Sequence, residues 1–110
     1  MNRSYSDYID DILIECDYLL NASRNISYED FIHNSHLKRA FVRSLEIIGE
    51  ASKKLPKEVK QKYKHIPWKQ ISGMRDKLAH DYFGVDYEVI WQTVIKDIAE
   101  IYELLKEDEN

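Results

Sequence analysis

One cysteine in 110 residues, Cys16, excludes an internal disulfide and fits a reducing compartment. Three glycines and two prolines are too few for a loop-rich or all-β chain, so the composition favours helices. No glycine-rich phosphate loop is present, and no Ser, Cys and acid constellation for covalent catalysis. No apolar run approaches the roughly 20 residues that a membrane span needs. The opening Met-Asn-Arg-Ser-Tyr lacks a signal-peptide core, so the chain reads as cytoplasmic, with no membrane contact. A metal constellation is missing too. His33 and His36 stand three apart without an obvious third ligand, and neither a metal nor a cofactor is expected.

What is there suits a single domain over residues 1–110, large enough for a core of its own. Hydrophobic residues supply 44% of the chain and charged ones 33%. The formal net charge of −4 speaks against nucleic acid as a partner, but its distribution does not. Residues 1–30 carry two Lys/Arg against seven Asp/Glu, and residues 78–110 carry two against nine. Between them, residues 31–77 carry twelve Lys/Arg against four Asp/Glu, a balance of +8. A basic middle between acidic ends can hold a local phosphate-binding surface, and it can equally be a set of solvated helix faces.

The apolar spacing is helical throughout. Ile9, Ile12, Leu13, Cys16, Leu19 and Leu20 form one stripe on a helix over about 6–22, capped by Ser4 or Ser6. Ser27 opens the next helical region, which weakens at His33-Asn34-Ser35-His36, a place for a kink or a fresh cap. The stripe returns over 37–55 with Phe41, Leu45, Ile48 and Leu55. Gly49 inside this helix costs about 1 kcal/mol against alanine. Its place there suits close approach by another helix or a second subunit.

Pro56 stops the helix, and 57–63 can form a short basic one. Pro67 and Trp68 start a helix over about 68–79. Phe83-Gly84-Val85 reads as a tight turn, and Asp86 caps a last helix over 87–106. That helix rests on Val89, Ile90, Val94, Ile98, Ile101, Leu104 and Leu105, and its acidic tail should fray. The expected architecture is all-α: an antiparallel four-helix bundle with an extra short helix.

Chemistry concentrates in Met74-Arg75-Asp76-Lys77-Leu78-Ala79-His80-Asp81-Tyr82-Phe83-Gly84. An imidazole titrating near neutrality can take a proton from a ribose 2′-hydroxyl or give one to a leaving 5′-oxygen. The forked donors of Arg75 suit a phosphate whose charge grows in the transition state. Asp76 can orient the pair. The nucleophile would be the substrate's own hydroxyl, so RNA cleavage of this kind needs no metal. Five residues apart, Arg75 and His80 lie roughly 140° from one another on a continuous helix. They converge only if the helix loosens near His80 or a two-fold partner brings its own pair alongside. In an extended stretch Tyr82 would sit beside His80. The spacing equally allows Arg75 to pair with surface carboxylates, His80 to cap a helix and Tyr82 to pack at the bundle end.

The run Arg75-Asp76-Lys77-Leu78-Ala79-His80-Asp81-Tyr82 resembles the HEPN superfamily signature of its HepT branch: Arg, four residues, His, one residue, Tyr. Its flanks agree, with Ile66-Pro67-Trp68 and Ile71-Ser72-Gly73-Met74 before it and Phe83-Gly84-Val85-Asp86 after it. Leu45-Glu46-Ile47-Ile48-Gly49-Glu50-Ala51 also resembles a recurring segment of the family. The resemblance implies a metal-independent ribonuclease toxin of a type VII toxin–antitoxin pair, a homodimer with the Arg–His motifs of two subunits facing in a cleft. Carried over by position, Arg75 and His80 match the catalytic pair and Tyr82 the modified tyrosine. The implied partner is an MntA-like minimal nucleotidyltransferase antitoxin, which uses ATP to place AMP on that tyrosine. Added charge and bulk beside His80 would obstruct RNA phosphate. Two further readings stand beside it. One is a non-catalytic nucleotide- or substrate-binding partner of such a transferase. The other, a purely structural helical adaptor, explains none of the motif's flanks.

Overall fold

A computed structural model describes residues 3–80 and 84–109, without the side chains at positions 74–77, 79, 80, 108 and 109. The expected loosening at Asp81-Tyr82, and Phe83 of the expected turn, lie outside the described residues.

The chain is all-α. Helix α1 (Tyr5–Ser23) starts where the Ser4 N–H donates to the Asp7 carboxylate at 3.2 Å. Ile9, Ile12, Cys16 and Leu19 of its stripe are buried, while Leu13 and Leu20 are half-buried at the edge. The short helix α2 (Tyr28–Ile32) opens with a reciprocal cap between Ser27 and Asp30. Asn34 then ends the weak stretch by accepting the Leu37 N–H at 3.0 Å, which starts α3 (Ser35–Lys53). Two short helices therefore flank α3, α2 before it and α4 (Lys57–Lys62) after it, against the one that the sequence predicts. Of the kink or fresh cap expected at His33-Asn34-Ser35-His36, the fresh cap is the one formed, because the Asn34 side chain caps the backbone more favourably than it continues a helix.

Helix α5 (Trp68–His80) follows a short connector, and α6 (Tyr87–Gln92) begins at Asp86, whose Oδ1 accepts the N–H groups of Glu88 and Val89. Helix α6 passes without a break into a π-helical stretch (Thr93–Ile98) and then α7 (Ala99–Glu109). One detail of this run differs from expectation. Val89 is 52% exposed, because Ile90 and Trp91 take the inward side and Val89 is turned about 200° from Trp91. The described backbone is helical through Glu109.

Helix α3 packs on both α1 and α5, and α1 also packs on the π-helical stretch and α7. One end of the bundle closes on aromatic rings. Phe31 of α2 lies 4.8 Å from Phe41 of α3 and 5.2 Å from Trp91 of α6, centroid to centroid. Phe41 and Trp91 are nearly parallel at 6.5 Å. At the opposite end α3 and α5 cross on small residues. Ser52 is fully buried, donates to the Gly49 carbonyl at 2.7 Å and lies 3.0 Å from the Ser72 hydroxyl of α5. Gly49 is itself buried one turn before Ser52.

Candidate nucleic-acid interface and active site

Helix α5 carries the candidate site, and the residues around its start fix its position. Trp68 is buried and its indole Nε1–H donates to the Tyr63 carbonyl at 3.1 Å, tying the helix to the end of α4. Ile71 is buried one turn later, Ser72 meets Ser52, and Leu78 is half-buried against the core. The inward side of α5 is thus held by packing and by one hydroxyl pair.

Arg75, Asp76 and His80 all belong to this helix, which is continuous through His80. Five helical steps put the Arg75 and His80 Cα atoms about 7.5 Å apart along the axis and roughly 140° apart around it. The backbone therefore does not bring the pair to one side of a single chain. The side chains of Arg75, Asp76 and His80 lie outside the described set, and so does Tyr82 altogether.

The described surface beside them is basic. Lys53 from the end of α3, Lys60 from α4 and Lys69 from α5 line one open cleft together with Trp68, Ser72 and Gly73. Among the described residues, Lys60 and Lys69 belong to no ion pair. The +8 balance of residues 31–77 and the short basic helix over 57–63 signal positive charge here, but not the cleft itself, because the three lysines come from three different helices.

Other reactive groups of the described chain are elsewhere. Cys16 is fully buried, and burial pushes its thiol up to about 12, so it stays protonated near neutrality and is no nucleophile. His33 Nδ1 lies 2.9 Å from the Glu29 carbonyl oxygen and 3.5 Å from its carboxylate, on an exposed rim. No group of three or more His, Cys, Asp or Glu with metal-binding geometry occurs among the described residues. Nor is any described helix long and apolar enough to cross a membrane.

The model of a family described as "Ribonuclease HepT-like" matches residues 7–107. The chain belongs to the HepT-like ribonuclease family. Several of its relatives span nearly the same length. A protein of Caldanaerobacter subterraneus subsp. tengcongensis, named "Putative RNase TTE0752", is 55% identical over 91% of this chain and 89% of its own. One of Methanocaldococcus jannaschii, named "Putative RNase MJ1216", is 50% identical over 90% of this chain and 82% of its own. A third, of Thermococcus cleftensis, named "Probable ribonuclease HepT", is 45% identical over 92% of each. No solved structure matches the chain. As a HepT-like ribonuclease the protein has RNA as its class of substrate, which gives the basic cleft on α5 a chemical context.

Proposed function

We propose that this HepT-like chain is the toxin of a type VII toxin–antitoxin pair, an endoribonuclease whose active site forms between two copies of α5. The observation that carries the reading is the continuity of α5 through His80, which leaves Arg75 and His80 on different sides of one helix. A two-fold partner supplies the missing half by setting the Arg75 of one subunit opposite the His80 of the other.

In the proposed reaction His80 takes the proton of a ribose 2′-hydroxyl while that oxygen attacks the adjacent phosphorus. The P–O5′ bond breaks, and the 5′-oxygen leaves with a proton given by an imidazolium, the second His80 of the dimer. The products are a 2′,3′-cyclic phosphate and a 5′-hydroxyl end. Arg75 stabilises the extra negative charge on the non-bridging oxygens, with Asp76 orienting the guanidinium or the neighbouring backbone. The nucleophile comes from the substrate, so the reaction runs without a metal. Tyr82 is the acceptor of AMP from an MntA-like nucleotidyltransferase antitoxin, and the added phosphodiester repels RNA phosphate from the site.

The test is RNA cleavage by the purified protein with EDTA present. His80→Ala and Arg75→Ala should each lower the rate at least a hundredfold, within the range set by general acid–base and electrostatic catalysis, with the helical circular dichroism unchanged. Tyr82→Phe should cleave normally and gain no AMP mass from the transferase. A wild type that binds the transferase but cuts no RNA would instead mark a non-catalytic binding partner.

A further inference from the structure

The mid-helix glycine of α5 has no packing explanation among the described residues. Gly73 is the sixth residue of a thirteen-residue helix, where glycine costs about 1 kcal/mol against alanine. It is exposed, and a Cβ built on it would meet nothing within 4 Å. Packing among the described residues therefore does not require a bare backbone there. The same glycine borders the cleft lined by Lys53, Lys60 and Lys69, in which no carboxylate takes part among the described residues. A bare helix surface beside Lys60 and Lys69, which belong to no ion pair among the described residues, suits a polyanion that approaches the backbone closely.

The cleft also has a direction. Lys69, Ser72 and Gly73 are spaced at i, i+3 and i+4 along α5. The Cα of His80, eleven residues beyond Lys69, returns to within about 20° of the Lys69 side of the helix and lies about 16 Å further along the axis. Arg75, by the same arithmetic, is turned about 120° away from Lys69. The lysine cleft is therefore in line with the histidine and not with the arginine of the same chain.

We propose that Lys60 and Lys69, with Lys53 at the edge and the bare backbone at Gly73, form a sequence-independent landing track for RNA phosphates. The track guides the strand along α5 to His80, a few nucleotides away from the scissile bond. This rests on the nuclease reading above and adds where the flanking strand lies. A second copy of the chain fits the cleft less well than RNA. A two-fold contact centred there would set the lysines of one copy against those of the other, with like charges meeting.

The experiment is fluorescence anisotropy of a labelled single-stranded RNA oligonucleotide with the His80→Ala protein, across about 50 to 200 mM salt. Each phosphate contact on a single strand contributes roughly 0.7 to the slope of log affinity against log salt. Lys60→Gln with Lys69→Gln should make that slope less negative by about 1.4, so that over this range its affinity falls about sevenfold less. Lys106→Gln, on the acidic last helix, should leave the slope as it was. An unchanged slope in the double variant overturns the track, and so does a shift in the monomer–dimer equilibrium without a change in slope, which would make the cleft a subunit contact. If the slope changes as expected while the wild type cuts no RNA, the track stands and the nuclease reading falls. Wild type that neither binds nor cuts RNA removes both.

Discussion

The two ends of α3 have opposite surroundings. Near its start, Phe41 is fully buried against the rings of Phe31 and Trp91, and Tyr18 meets it edge-on at 6.4 Å. At its end, Lys53 opens onto a cleft with Lys60 and Lys69, and the neighbouring contact with α5 is made by two serine hydroxyls. The first end removes large apolar surface from water, the dominant favourable contribution to folding. The second packs α3 on α5 through smaller residues and carries the lysine cleft, with Lys69 exposed, on its surface. The contrast separates a part of the bundle that stabilises it from a part that is free to meet a ligand. Substitutions at the two ends should therefore be read out by different measurements.

The largest effect belongs to the aromatic end. Phe31→Ala should lower the unfolding free energy in urea by about 3 to 5 kcal/mol, the range for truncating a buried phenylalanine. Helix α2 has only five residues and no stability of its own, so this ring, the Tyr28 ring against Trp91 and the Ser27–Asp30 cap hold it. A loss below about 1 kcal/mol would mean that Phe41 and Trp91 close over the gap, and that the aromatic end is not what stabilises the bundle.

This end was also the harder one to read from sequence. The stripe Ile9, Ile12, Cys16, Leu19 shows the core of α1 because nineteen residues give the 3.6 period five turns in which to appear. Phe31 sits in a helix too short to display any period, and Trp91 falls outside the stripe drawn for the last helix, yet both are buried. Val89 was assigned inward by the same pattern and is exposed, because the pattern says little about the first turn of a helix at the bundle's end. The candidate site divides similarly. Its residue types and spacing are local and legible at Arg75, Asp76, His80 and Tyr82. The convergence of Lys53, Lys60 and Lys69 depends on how three helices pack, and a dimer cleft would depend on a second chain, so neither is written in local spacing.

An intermediate effect is expected where α3 meets α5. Ser52→Val adds bulk at a fully buried position and removes the hydroxyl that meets Ser72. Overpacking of this kind costs about 1 to 3 kcal/mol. Because α5 carries the candidate site, the variant should also cut RNA more slowly than its residual stability explains, measured at a temperature where it is fully folded. Normal cleavage by a folded Ser52→Val protein would show that the site tolerates a displaced helix, and would weaken the case for a tightly fitted dimer cleft.

The smallest effect has the opposite sign. Gly73→Ala should raise the unfolding free energy by about 0.5 to 1 kcal/mol, since alanine lowers the entropy of the unfolded chain and meets no obstruction in the folded one. If the cleft receives RNA against the bare backbone, the same methyl group should weaken RNA binding and slow cleavage. A protein that is more stable but binds less well would sharpen the contrast between the two ends of α3, because stability and function would then move in opposite directions at a single atom. A gain in stability with binding unchanged would leave the glycine unexplained and assign the cleft to its lysines alone. A loss in stability would mean that a neighbour of Gly73 beyond the described residues already occupies the space.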